Sequence, residues 1–141
     1  MRYVIDSSVA IKWVLPEPDS PRAIQLQLDF ASGIHNLIAP DVFAVECAHS
    51  LTRAERRRLI TPQQGAMGLR IILSSLPALS ASLPLLNRAY EISSGHRIGV
   101  YDCLYVALAE REGCEFVTAD DRLIRVLGPH FPFIVPLASL P

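Results

Sequence analysis

Four acidic residues each stand at the mouth of a short apolar run: Asp6 in YVIDSSVA, Glu46 in FAVECAHSL, Asp102 in VYDCLYVALAE and Asp120 in FVTADDRL. This pattern limits what the chain can fold into. An ionised carboxylate at the edge of a buried strand, or on a largely apolar helix, carries a desolvation cost, and several together repel one another. A fold that gathers them is relieved by a shared cation, which makes the set a candidate hard-metal site.

The runs alternate in kind along the chain. Residues 3–5 read as a short buried strand. Ser7 or Ser8 then offers an N-cap for a helix over 9–15, which Pro16 ends. Asp19, Ser20 and Pro21 start a second helix, with Ala23, Leu26 and Phe30 at helical spacing and Gly33 as its stop. Residues 37–39 suit a second strand. Pro40 and Asp41 open a third helix with Phe43, Cys47 and Leu51 on its apolar face and Arg53, Arg56, Arg57 and Arg58 at its far end. A fourth helix is expected from Thr61 and Pro62 until Pro77 breaks it, and an extended stretch over 79–82 follows. Residues 85–92 read as a helix ended by Gly95, and 100–112 as an amphipathic helix closed by Gly113. Residues 114–118 form a buried strand, 121–127 a short helix and 133–135 a last strand. Strands alternating with helices predict an α/β domain with a mainly parallel sheet.

A chain of 141 residues has room for one core, so a single domain over 1–141 is expected. Hydrophobic residues make up 50% and mean hydropathy is +0.30, yet charges interrupt every apolar stretch. None reaches the roughly 18 residues needed to cross a bilayer. The surplus of apolar surface points to a partner or a dimer face. No targeting peptide is visible before the first strand. Thirteen basic against 14 acidic residues give a net charge of −1, so no global basic field advertises nucleic acid. Cys47, Cys103 and Cys114 form no CxxC pair, which argues against a disulfide framework or a zinc site and fits a reducing cytoplasm.

In an open parallel sheet, functional groups collect beyond the carboxyl ends of the strands, where Asp6 and Asp120 fall. Helix starts bring Asp102, and by its position Glu46, toward the same edge. Taken singly, each acid also reads as a helix cap or a solvated turn residue. Taken together they are an oxygen donor set for Mg²⁺ or Mn²⁺, ions that retain waters and activate them against phosphate esters.

Read end to end, these phrases resemble the PIN-domain ribonucleases, in particular the VapC-type toxins of toxin–antitoxin pairs. The match rests on YVIDSSVAIKWVLPE, IAPDVFAVECAHSL, IGVYDCLYVALAE and FVTADDRL in that order. The resemblance implies a three-layer α/β/α domain and an Mg²⁺- or Mn²⁺-dependent endoribonuclease that leaves a 5′-phosphate. It also implies a homodimer inhibited by a VapB-like antitoxin. Asp6, Glu46, Asp102 and Asp120 fall on the family's acidic positions. Ser7 or Ser8 is expected to hydrogen-bond near the first acid, and Thr118 to support the last. Asp121 is a weaker candidate, equally readable as the N-terminal charge of the last helix.

The sequence departs from the family at His49, where an asparagine is common three residues after the helix glutamate. That histidine reads either as an auxiliary to Glu46 or as simple helix packing. Arg53, Arg56 and Arg57 read either as charges complementing a helix dipole or as contacts to RNA phosphates beside an acidic pocket. Two other readings stay open: a PIN nuclease of RNA processing that has no antitoxin, and an RNA-binding module that does not cut.

Overall fold

The computed structural model describes all residues, 1–141. Five strands, β1 (Arg2–Ile5), β2 (Asn36–Pro40), β3 (Ala78–Ser80), β4 (Glu115–Thr118) and β5 (Ile134–Pro136), form one sheet in the order β3-β2-β1-β4-β5. Every pairing is parallel. Val4, Ile5, Phe116 and Val117 are fully buried, as strands covered on both faces require. Seven helices complete an α/β/α domain: α1 (Ser7–Val14), α2 (Ser20–Ala31), α3 (Phe43–Arg56), α4 (Pro62–Ser74), α5 (Leu86–His96), α6 (Val100–Glu112) and α7 (Asp121–Leu127). Helices α1 to α4 pack among themselves, while α5 packs on α6, which lies against β1, β2 and β4.

Topology decides where chemistry can gather. From β1 the chain builds outward through β2 and β3 on one side, then returns to lay β4 and β5 on the other. The order therefore reverses between β1 and β4, and in such sheets a crevice opens there at the carboxyl edge. Ile5 pairs with Val117, so the next residues along, Asp6 and Thr118, are neighbours across the switch point.

Several local expectations change in the folded chain. Helix α6 is not amphipathic: Cys103 through Ala109 are all buried, so it is a central helix, apolar on every side, with Asp102 at its rim. Helix α5 does not stop at Gly95 but runs through His96, and Arg97 takes the left-handed turn with φ 54°. Gly113, with φ 63°, ends α6 as expected. Pro40 closes β2 instead of opening α3, which begins at Phe43. The start of α4 is a complete capping box between Thr61 and Gln64.

Candidate active site

Asp6 leaves the end of β1 and caps α1, accepting the Ser8 backbone N–H at 3.1 Å. The Ser8 hydroxyl donates to Asp6 Oδ1, and Thr118 Oγ1 donates to Oδ2 at 2.6 Å. Ser8 Oγ also accepts the Ala119 N–H at 2.9 Å, so one serine ties the end of β4 to the start of α1. Ser8, and not Ser7, is thus the hydroxyl that supports the first acid. Thr118 supports Asp6 with its hydroxyl proton, while its oxygen accepts the Asp120 N–H at 3.2 Å; it holds both acids, where the sequence assigned it to the last alone.

Asp120 caps α7 by accepting the Leu123 N–H at 3.1 Å. Asp102 lies in the first turn of α6, and Glu46 in the first turn of α3. The Tyr105 hydroxyl donates to Glu46 Oε1, linking α6 to α3 above the sheet edge. Nothing in the sequence analysis singled out Tyr105; its signal was its place one helical turn after Asp102.

Charge links the acids: Asp120 and Asp102 act on Asp6, Asp120 acts on Asp102, and Asp102 acts on Glu46. Burial pushes the Asp6 carboxyl up to about 7, opposed by the Ser8 and Thr118 hydroxyls and reinforced by the charges of Asp120 and Asp102. Burial also raises Asp102 to about 6, with Asp120 adding to the rise and Arg122 opposing it. Glu46 is raised by burial, lowered by the Tyr105 hydrogen bond and raised again by Asp102. None of the four makes an ion pair within the chain. No three carboxylates close around a single point in this structure. The donor set nonetheless fits a hard divalent cation: all four donors are carboxylates, they are partly or wholly desolvated, and none has an ion-pair partner in the chain.

Beside the acids runs a cleft of about 540 Å³, lined by Ser8, Lys12, Glu17, Ser50, Arg53, Arg57 and Asp120 among others. Arg53 and Arg57 therefore face it. Arg56 does not; it is exposed elsewhere on α3, with its guanidinium 3.4 Å from Thr52 Oγ1. His49 is also exposed and off the cleft, which leaves Ser50, one turn after Glu46, on the side where His49 was considered. Asp121 is exposed and borders an adjoining depression of about 210 Å³, which shares Lys12 and Ala119 with the main cleft. Lys12 and Glu17, which no motif in the sequence marks, also line the main cleft.

An α/β domain with carboxylates gathered at the switch point of a parallel sheet has a counterpart among known families. Residues 3–128 match the PIN domain, and the chain belongs to that family. Within it, the chain is similar to ribonuclease VapC3 of Pyrobaculum aerophilum, at 31% identity over 137 residues, 96% of this chain and 98% of that protein. It is also similar to ribonuclease VapC12 of Mycobacterium tuberculosis, at 34% identity over 126 residues, 89% of this chain and 92% of that protein. In fold it resembles VapBC2 from Rickettsia felis, solved bound to a DNA fragment from its promoter, with TM-score 0.67, 17% identity, and coverage of 96% of this chain and 97% of that one.

Proposed function

We infer that this chain is a metal-dependent endoribonuclease toxin of the VapC type. The observation that carries the reading is the placement of Asp6 and Asp120 at the carboxyl edge of the sheet beside the switch point, with Asp102 and Glu46 in the first turns of α6 and α3 and no cation of the chain paired to any of the four. Length-spanning similarity to two VapC ribonucleases supports it.

Asp6, Glu46, Asp102 and Asp120 would hold Mg²⁺ or Mn²⁺. Such an ion, when bound, would lower the pKa of a water and offset the charge that develops on the phosphate under attack and on the oxygen that leaves it. The chain's own residues supply placement. Ser8 and Thr118 fix both oxygens of Asp6 and favour its ionised form, Tyr105 holds one oxygen of Glu46, and the Leu123 N–H orients Asp120. Arg53 and Arg57 offset the acids' repulsion of RNA by facing the same cleft.

A VapB-like antitoxin is the partner this reading implies, supported by the likeness to a VapBC protein. A homodimer fits the exposed Leu83, Leu86 and Tyr90, which recur at helical spacing, together with exposed Tyr101. No helix is long and apolar enough to cross a membrane, and three unpaired cysteines suit a reducing cytoplasm.

The test is incubation of antitoxin-free protein with total RNA in Mg²⁺, Mn²⁺ or EDTA, beside an Asp6→Asn variant, with the 5′ ends of fragments mapped. Discrete cuts that need both metal and Asp6 and leave 5′-phosphates are expected. Folded protein that binds RNA without cutting it would leave a binding module instead. Ends bearing a 2′,3′-cyclic phosphate would replace the water with the ribose hydroxyl as nucleophile.

A further inference from the structure

Lys12 and Glu17 take no part in the four-acid site, yet both face the cleft that leads to it. Their positions are unequal. The Lys12 side chain is only 12% exposed, and its helix is pinned from behind, because the Trp13 indole N–H donates to the Ala23 carbonyl at 2.9 Å. The ammonium therefore has little freedom to leave the cleft wall. Glu17 stands on the loop between α1 and α2, and its side chain is 40% exposed. The backbone of that loop is fixed: the Glu17 N–H donates to Ser20 Oγ at 3.0 Å and the Ser20 N–H donates to the Glu17 carbonyl at 3.1 Å. Only the carboxylate arm of Glu17 is free to swing.

The two meet at 3.4 Å, Nζ to Oε1, with no other carboxylate paired to Lys12. An ion pair of that length with one wet partner gains little and is readily exchanged. Arg53 and Arg57 line the same cleft and neither is ion-paired within the chain. Three cations thus converge on a space whose only carboxylates are Glu17 and Asp120. A phosphodiester shares one negative charge over two unesterified oxygens and releases counterions when it binds, so it can displace a wet, swinging carboxylate from a lysine.

We propose that Lys12 binds a backbone phosphate of RNA in this cleft, and that in the RNA-free protein the Glu17 carboxylate holds the lysine in that phosphate's place. The proposal rests on the nuclease reading above and adds to it a binding residue and its internal competitor. Lys12 contacts the RNA and not the reacting atoms, so its signature is affinity and salt dependence rather than the chemistry of the cut.

The experiment measures binding of a 5′-fluorescein-labelled single-stranded RNA by fluorescence anisotropy, in EDTA, over a salt series. It compares wild type, Lys12→Met, Lys12→Arg and Glu17→Gln, with melting curves taken on each. Lys12→Met is expected to weaken binding about tenfold and to reduce the slope of log K against log salt by about 0.7, the loss of one single-strand phosphate contact, while Lys12→Arg retains most of both. Glu17→Gln is expected to tighten binding about threefold by removing the competing charge, an effect readable even if Lys12→Met folds poorly. Wild-type affinity and slope in folded Lys12→Met, or unchanged or weaker binding by Glu17→Gln, would overturn the proposal. Metal-dependent cleavage by wild type in a parallel reaction keeps the nuclease reading intact in that event, whereas wild type that neither binds nor cuts RNA overturns both.

Discussion

Thr118 Oγ1 donates a hydrogen bond to Asp6 Oδ2 at 2.6 Å, joining the last residue of β4 to the residue after β1. Strand register makes this contact, since Ile5 and Val117 are paired and the next residues must adjoin. The bond favours the ionised form of a buried carboxylate whose pKa is already pushed up to about 7. Thr118→Val keeps the shape and removes the donor, so Asp6 takes up a proton more readily. The expected result is a loss of about 10–100-fold in metal affinity or cleavage rate near neutral pH. The deficit should shrink at higher pH, where the carboxyl ionises without help. A pH-independent deficit would mean that the threonine acts only in packing.

Asp6→Asn removes a carboxylate that is 7% exposed and coupled to two others. In metal-free protein this substitution relieves repulsion and desolvation, so its melting temperature at pH 8 should equal or exceed that of wild type. In millimolar Mg²⁺ or Mn²⁺ the order should reverse, because ligand binding to the native state raises stability by mass action and the variant has lost a ligand. Differential scanning fluorimetry with and without metal checks both halves. A wild-type melting curve indifferent to metal would remove the shared site.

Raised carboxyl pKa values make metal-free stability fall as pH rises. Asp6 at about 7 and Asp102 at about 6 bind protons in the folded state that the unfolded chain has already released. Their contribution is fully present below the ordinary carboxylate range and is lost as pH climbs through 6 and 7. Between pH 5.5 and 8 the metal-free wild type should lose at least about 4 °C more of its melting temperature than Asp6→Asn does. Metal competes with these protons, so the stabilisation it gives should grow over the same range.

The strands, the helices and the placement of the four acids at strand ends and helix starts were legible because short apolar runs, caps and prolines are local signals, and the acids interrupt those runs. What was not legible depended on register and rotation. Ser7 and Ser8 are adjacent in sequence, and only the capping of α1 by Asp6 decides that Ser8 turns back to the carboxylate. Thr118 was assigned to its neighbour Asp120, yet parallel pairing hands its proton to Asp6. His49 and Arg56 lie off the cleft for a rotational reason: the cleft is lined by Ser50 and Arg53 of α3 and by Arg57 at its C-cap. Helix α6 was misjudged as amphipathic because its charges crowd its ends, while seven consecutive residues between them are buried. Lys12 was hidden by a pairing across a loop that no periodicity describes.

Tyr105 is 1% exposed and spends its hydroxyl proton on Glu46, itself raised by burial. Tyr105→Phe leaves the carboxylate short of a donor, at a cost of about 1–3 kcal/mol for a hydrogen bond to a charged group. Glu46→Gln should lose less in metal-free protein, since a neutral amide still accepts the hydroxyl. A double-mutant cycle of Tyr105→Phe with Glu46→Ala, which removes the acceptor altogether, read by urea denaturation, should give a coupling energy of about 1 kcal/mol or more between the two positions. Additive effects would show that the tyrosine only fills space.

Arg56 and Arg57 are sequence neighbours with different fates, and that contrast tests the cleft as the RNA path. Arg57 lines the cleft beside Arg53, whereas Arg56 is directed to Thr52 on exposed surface. If both arginines served only the dipole of α3, replacing either should cost the same few tenths of a kcal/mol in stability and nothing in RNA affinity. If the cleft carries the RNA backbone, Arg57→Ala should weaken single-stranded RNA binding by about 3–10-fold and lower the salt slope by about 0.7, uniformly across RNA sequences. Arg56→Ala should leave both unchanged. Equal losses from the two variants would move the RNA off this cleft and onto the exposed end of α3.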